Sequence, residues 1–316
     1  MVNYPQLDVV VVTYNRRQKL ERALGCYENQ HVCFRNLIVV NNCSTDDTKE
    51  FLDEWQKIPS EKYKKIVILS SENVGGAGGF YLGEEKAMSM GADWVFVADD
   101  DAYAEEDMIE KFYLFVENHE VQKISAICAA VLNMDGSYCL FHRGNYYIKQ
   151  GVRFEVKRSI EADYEEEFFP NNYISYVGTF LSGWALKKVG LCNRKYFIYY
   201  DDTEHSIRLS KVGEMICVPA IKIKHESAFT NIGDDVLVSW REYYGLRNSS
   251  HMVLKHYPIC YLNNWRCFIR DLIIRKEKFN IRSKLIYNAL TDALFSRLGK
   301  HRVYQPDWKI RKSHEG

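Results

Sequence analysis

The sequence predicts an α/β protein: a mostly parallel open sheet flanked by helices, followed by a helical C-terminal extension. Two observations predict it. Short apolar runs alternate with segments whose apolar residues recur at helical spacing, and the connecting loops are tight. Each apolar run also ends in polar residues, and ligands of open α/β sheets sit beyond the carboxyl ends of the strands.

Residues 7–13 (LDVVVVT) form a first buried strand, which ends in Tyr14, Asn15, Arg16 and Arg17. Leu20, Ala23, Leu24 and Tyr27 then share one helix face. A second strand over 37–40 ends in Asn41-Asn42-Cys43-Ser44-Thr45-Asp46, and Ser44 or Thr45 is expected to cap a helix running to about Lys57. A third strand over 66–69 leads to Asn73-Val74-Gly75-Gly76-Ala77-Gly78-Gly79 and a helix to Met90. Tyr81 stands where the last glycine of a dinucleotide fingerprint would fall, so that motif is excluded. The glycines either let backbone N–H groups approach a phosphate or let the helix pack close on a strand.

The fourth strand, 95–98, stops at Asp99, Asp100 and Asp101. Three adjacent carboxylates repel one another. They either hold a divalent cation or form a solvated acidic cap for the helix starting near Glu105. Ile109, Phe112 and Val116 place a helix before a fifth strand at 125–131. From 136 to 182 the pattern changes to short strands rich in Tyr and Phe, then Trp184 and a short helix over 185–189. Tyr199-Tyr200-Asp201-Asp202-Thr203-Glu204-His205 opens another helix. Aromatic rings beside paired carboxylates suit a sugar, although acids in a first helical turn are also plain dipole partners. A strand over 221–225 ends in His225, and a lone histidine is most often structural.

Beyond about residue 233 the chain reads as helices over 236–255, 265–278 and 281–298, with a loosely ordered tail from Arg302. A domain boundary is therefore expected between 1–232 and 233–316. Formal net charge is zero, yet residues 241–316 hold 16 Lys and Arg against 6 Asp and Glu. This basic region is read either as packed helices with solvated faces or as an attachment to anionic lipid. No nucleic-acid motif accompanies it, so no nucleic-acid partner is expected. The nine cysteines include no CxxC pair, which argues against a disulfide framework or zinc site and for a reducing compartment. With no signal peptide and no apolar run of about 18 residues, the expected location is cytoplasmic, at most peripheral on the inner face of the cell membrane.

Four motifs together resemble the inverting family-two glycosyltransferases of GT-A fold: residues 9–16, 39–46, 73–80 and the triple aspartate. The glycine segment, the triple aspartate and Tyr200-Asp201-Asp202-Thr203-Glu204 are most similar to the bacterial galactofuranosyltransferase branch and its rhamnosyltransferase neighbours. The resemblance covers roughly residues 7–250 and implies a nucleotide-diphospho-sugar transferase with Mn²⁺ or Mg²⁺ as cofactor. It implies that Thr13, Tyr14, Asn15, Arg16, Asn41, Asn73, Gly76, Gly78, Gly79, Asp99 and Asp100 line the nucleotide and donor sugar. It implies that Asp99, Asp101 and His225 hold the metal. Asp202 would be the catalytic base, with Trp184, Asp201, Glu204 and His205 along the acceptor. Tyr243-Tyr244-Gly245-Leu246-Arg247-Asn248 is similar to the family's post-catalytic helix segment.

The implied partners are a UDP-sugar, UDP-galactofuranose in the leading reading, and a lipid-linked or glycan acceptor of the bacterial surface. Transfer of rhamnose from dTDP-rhamnose is the neighbouring alternative. A sugar nucleotidyltransferase and a non-catalytic glycan-binding protein are the rivals from other classes.

Overall fold

The structure is a computed structural model and describes residues 4–226, 236–274 and 280–311. The first half alternates as expected: β1 (Leu7–Thr13), α1 (Arg17–Glu28), β2 (Asn36–Asn41), α2 (Thr48–Trp55), β3 (Lys64–Leu69), α3 (Gly75–Ser89) and β4 (Trp94–Asp99). There follow β5 (Ala102–Ala104), α4 (Met108–Asn118) and β6 (Ile124–Leu132). Strands β1, β2 and β6 are buried at every position, which is why they read as unbroken apolar runs rather than alternating ones.

The middle of the chain builds β7 (Arg143–Lys149), β8 (Arg153–Arg158), β9 (Phe169–Pro170), β10 (Tyr173–Ile174) and β11 (Thr179–Ser182). Then come α5 (Gly183–Val189), α6 (Asp201–Leu209) and the long β12 (Glu214–His225). The main sheet runs β3-β2-β1-β4-β11-β6-β12-β5, with β9 pairing on β12. β1, β2, β3 and β4 are mutually parallel, and Val12 pairs with Asp99 while Thr13 pairs with Asn41. One carboxyl edge thus gathers Thr13, Asn41 and Asp99. β11 enters antiparallel to β4, with Ser182 opposite Trp94 at the start of that strand.

Helix α3 lies directly on β1. A Cβ on Gly83 would collide with the Val10 side chain, and one on Gly79 would fall 2.5 Å from Val12 Cγ1. Close helix–strand contact therefore accounts for both glycines.

The C-terminal part contains β13 (Val236–Ser239), α7 (Trp240–His256), α8 (Pro258–Ile274), α9 (Ile281–Leu294) and β14 (Lys309–Arg311). Several expectations change here. Residues 236–239 are a strand, not the first turn of a helix, because they pair with β14. The tail from Arg302 is consequently anchored as far as Arg311, with Tyr304 buried and stacked on Tyr243. α8 begins seven residues before Trp265, with Pro258 in its first turn, where a missing N–H costs nothing. Residues 275–279 of the expected helix lie outside the described residues. α9 stops at Leu294 rather than Leu298. The N-cap position of α2 is Asp47, not Ser44 or Thr45, and the side chain that meets the first turn is that of Asp46, whose Oδ1 accepts from the Thr48 N–H at 3.1 Å.

The expected boundary at residue 232 also falls outside the described residues. On either side of it the chain shares apolar cores: Ile207 packs with Met252 and Val253, and Phe197 with Tyr243 and Tyr244.

Candidate active site

Strand ends and two loops build the carboxyl edge of the sheet. Thr13 Oγ1 donates to Asp100 Oδ2 at 2.7 Å, and Arg16 Nη1 reaches Asp100 Oδ1 at 3.2 Å and Asp101 Oδ2 at 2.8 Å. The head of Arg16 stays about half exposed, so part of its fork faces solvent. Asn15 has a left-handed backbone and ties this loop to the next: its Oδ1 accepts from the Thr45 N–H at 2.7 Å. Asn41 Oδ1 accepts from the Ser44 N–H at 2.9 Å, closing the β2 turn. Asn42 fixes the glycine loop, accepting from the Val74 N–H and donating to Asn73 Oδ1 and the Gly75 carbonyl.

Asp99, Asp101 and His225 converge because β5 pairs antiparallel with β12, bringing His225 opposite Ala102. Their ligand atoms lie within 4.8 Å of one another. His225 Nε2 is 3.2 Å from Asp101 Oδ1, while its buried Nδ1 has no hydrogen-bond partner among the described residues. Burial pushes Asp99 well above the ordinary carboxylate range, and the charges of Asp101, Asp100 and Asp201 push it further. Asp100 is pushed up to about 6 by burial, against the pull of Arg16 and Thr13. Burial also opposes ionisation of Asp101, but His225 and Arg16 outweigh it and hold that carboxylate below its usual range. Two carboxylates and an imidazole with an orphaned nitrogen fit a hard divalent cation such as Mn²⁺ or Mg²⁺.

The second carboxylate pair opens α6. Asp201 is buried, and burial, with the charges of Asp202 and Glu84, pushes it well up. The charge of Asp201 also acts on Asp99, the weakest of the influences that push that carboxyl up. Asp202 is half-buried, and its Oδ1 accepts from the Thr203 N–H. Burial pushes Asp202 up to about 6, with the Thr203 hydrogen bonds and then the charge of Arg158 pulling the other way. Arg158 is sandwiched, 4.2 Å from the Phe141 ring centroid and 4.3 Å from that of Tyr173. A carboxylate tuned toward neutrality beside a fixed cation can accept a hydroxyl proton.

Not every expected residue joins these clusters. Trp184 follows Ser182, which sits at the amino end of β4, the opposite edge from Asp99. Its ring packs against Gly213 and its indole nitrogen is buried without a hydrogen-bond partner, so it does not line the acceptor. Glu204 is fully buried in an ion-pair cluster with Arg208 at 2.9 Å, Lys255 at 2.9 Å and His256 at 3.0 Å. His205 is also fully buried, contacting the Tyr176 hydroxyl and the Gly190 carbonyl. Both are structural. The α6 face that carries Glu204 turns inward against α7, which supplies Lys255 and His256. Gly78 packs on Val74 and Gly79 on Val12, whereas Gly76 has open space around its Cα. Tyr14 is exposed and forms none of the carboxylate contacts of Thr13 and Arg16.

Other residues join the site with little sequence signal. Lys19 Nζ lies 3.6 Å from Asp101 Oδ2. The buried His142 packs edge-on to His225, with ring centroids 5.0 Å apart, and its Nδ1 is 2.7 Å from Ser175 Oγ. Only the helical spacing of Lys19 behind Arg16 hints at its direction. Arg158 and His142 sit in the irregular middle segment, where no periodicity marks them.

A mostly parallel sheet whose carboxyl edge gathers Thr13, Asn41 and Asp99, with Asp101 and His225 beside them, fits the GT-A class of glycosyltransferase fold. Residues 8–163 match the family model described as glycosyl transferase family 2, and the chain carries a domain of that family. It is 27% identical over 208 residues to galactofuranosyltransferase GlfT1 of Mycobacterium tuberculosis, a match covering 65% of this chain and 64% of that protein. It is 24% identical to the dTDP-rhamnosyl transferase RfbF of Shigella flexneri over 79% of this chain and 81% of that one. Residues 1–349 of S. aureus TarS in complex with UDP-GlcNAc superpose with a TM-score of 0.56 at 15% identity, covering 92% of this chain and 82% of that one. A mannosyltransferase from Pyrobaculum calidifontis in complex with GDP-Man and Mn²⁺ superposes at 0.51 and 14% identity, over 92% and 70% of the two chains.

Proposed function

We propose that the chain is an inverting, metal-dependent galactofuranosyltransferase that uses UDP-galactofuranose to extend a bacterial cell-surface glycan. The observation that carries the reading is the cluster of Asp99, Asp101 and His225, whose ligand atoms lie within 4.8 Å of one another, with the charge of Asp201 at the start of α6 acting on Asp99. The names of the curated relatives support the donor, with rhamnose from dTDP-rhamnose as the second reading on the strength of the Shigella relative.

In this reading Thr13, Arg16 and the loop held by Asn42 bind the nucleotide and orient the diphosphate. A divalent cation held by Asp99, Asp101 and His225 would offset the charge that develops on the leaving diphosphate. Asp202 takes the proton of the acceptor hydroxyl as that oxygen attacks the anomeric carbon. One displacement breaks the bond from the anomeric carbon to the diphosphate oxygen, releasing UDP, and forms a glycosidic bond on the opposite face, so configuration inverts. Hydrogen bonds from Thr203, and after them the charge of Arg158, favour the ionised form of Asp202.

The acceptor is read as lipid-linked or membrane-proximal. Among the described residues no helix is long and apolar enough to cross a membrane. However, α8 exposes Ile259, Leu262, Ile269 and Ile273, spaced three, seven and four residues apart, beside Arg266 and Arg270. Such a face suits an anionic bilayer surface. Leu262→Asp with Ile269→Asp should abolish co-sedimentation with phosphatidylglycerol vesicles while leaving turnover of a water-soluble acceptor unchanged.

The test of the central reading is transfer from UDP-galactofuranose and from dTDP-rhamnose to a synthetic acceptor, with wild type and Asp202→Asn. The expected result is UDP release coupled to product for the first donor, falling by about 10³-fold in the variant. Turnover of dTDP-rhamnose alone would overturn the donor, and full activity of the variant would overturn the base.

A further inference from the structure

The loop that presents the acidic pair is strained and is held from outside. Between Tyr196 and Asp201 three non-glycine residues, Phe197, Tyr199 and Tyr200, have φ of +68°, +66° and +65°. Left-handed backbone is disfavoured for such bulky side chains and persists only where surrounding structure enforces it. Every carbonyl of the loop has a partner. Phe197 O accepts from the Ala77 N–H at 3.2 Å, on the glycine-rich helix of the donor side. Tyr200 O accepts from the Glu204 N–H, starting α6. The carbonyls of Tyr196, Ile198 and Tyr199 all point at one side-chain amide: Asn248 Nδ2 donates to them at 2.9, 2.8 and 3.0 Å.

Asn248 is itself oriented. Arg247 Nε donates to Asn248 Oδ1 at 2.9 Å, which fixes which end of the amide faces the loop. Arg247 Nη2 adds a bond to the Tyr196 carbonyl at 3.1 Å, and Nη1 reaches the Gly299 carbonyl at 2.8 Å. Both side chains are fully buried. The guanidinium has no carboxylate within ion-pair distance among the described residues and rests over the Tyr244 ring at 4.7 Å. A buried cation without an anion is costly, so the geometry is kept for its hydrogen bonds to carbonyls.

We propose that Asn248, oriented by Arg247, is a positioning residue of the transfer reaction: it holds the left-handed loop that aims Asp201 and Asp202 at the donor edge. The C-terminal helices are then part of the catalytic apparatus and not only an attachment. The inference rests on the reading of Asp202 as the base.

The experiment compares Asn248→Ala and Asn248→Asp with wild type in three measurements: kcat for transfer, titration of UDP with Mn²⁺, and thermal melting. The aspartate keeps the shape and replaces the donor with an acceptor. Both variants should lose at least 30-fold in kcat while the affinity for UDP changes less than threefold, because the triple aspartate stands on other elements. Tyr199→Gly, placed in the Asn248→Ala background, should recover about fivefold of the lost kcat, the worth of one left-handed residue that glycine adopts freely. A kcat within threefold of wild type in a folded Asn248 variant would overturn the proposal. So would equal losses of kcat and UDP affinity, which mark general loosening of the fold. If both Asn248 variants fail to fold, Arg247→Lys takes their place, with the same split expected. Asp202→Asn in parallel separates the two readings: if it alone keeps full turnover, the base assignment fails, and if it alone loses turnover, only the clamp fails.

Discussion

The two halves of the site are built differently. In the proposed reading the donor half is made by strand ends, with Thr13, Asn41 and Asp99 delivered by neighbouring parallel strands in fixed register. Its geometry follows from the sheet. The acceptor half is made by a loop with three left-handed residues and a helix start, held by side chains from α7 some fifty residues later. Its geometry follows from tertiary contacts. The donor half should therefore tolerate changes in the C-terminal helices, and the acceptor half should not.

Predictions can break this contrast, from large effects to small. Glu204→Gln leaves Arg208, Lys255 and His256 without their shared anion in a buried cluster. It should cost about 3 kcal/mol or more of stability, read from denaturant unfolding, since breaking a buried ion pair strands its partners. Burial opposes ionisation of Glu204, but its cationic partners outweigh it and hold the carboxylate below its usual range. Its stabilisation is present above the ordinary carboxylate pKa and is lost as pH falls through the depressed value. If Glu204→Gln instead raised the acceptor KM without touching stability, the residue would belong to the acceptor surface after all.

Gly83→Ala should destabilise by about 1–3 kcal/mol, because the methyl meets the Val10 side chain under α3. Gly76→Ala, in open space, should be stable and reveal any close donor contact by a higher donor KM.

Asp202 gives a pH test with a definite sign. Burial pushes it up to about 6, so kcat should fall about tenfold per unit as pH drops below 6 and the base becomes protonated. In stability the same shift works the other way. The folded state favours the protonated form, so the ionised carboxylate is a liability at neutral pH. Asp202→Asn should melt higher than wild type at pH 7, and the difference should vanish near pH 4. Trp184→Phe marks the small end of the scale. It removes an indole nitrogen that has no partner, at the edge away from Asp99, and turnover should stay within twofold.

How much of this was legible in the sequence follows the same division. The parallel sheet was readable because doubly buried strands leave unbroken apolar runs such as LDVVVVT. The cluster of Asp99, Asp101 and His225 was readable in part. The triple aspartate is a local pattern, but His225 became a candidate only by resemblance, since nothing local reveals that β12 pairs with β5. Glu204 and His205 misled because acids and a histidine at a helix start look the same whether the face is wet or dry. Only the packing of α7 and its His256 against them decides. Trp184 misled because an antiparallel strand inside a parallel sheet sends its end to the wrong edge, and four residues of β11 carry no sign of direction. Arg158 could not be found at all: its role comes from two rings and a carboxylate that meet only in the fold. The strand at 236–239 was read as helix because four residues beside a long amphipathic run take on its period until a partner strand appears.

The measurement that tests the account most directly is UDP affinity in the presence of Mn²⁺, set beside turnover, for Asp101→Asn and Asp202→Asn prepared together. The account predicts that Asp101→Asn loses at least tenfold in metal-dependent UDP affinity. It predicts that Asp202→Asn binds UDP within twofold of wild type and loses turnover by about 10³-fold. Equal losses of affinity in the two variants, or turnover retained by Asp202→Asn, would contradict a site divided into a cation-bearing donor edge and a separately held base.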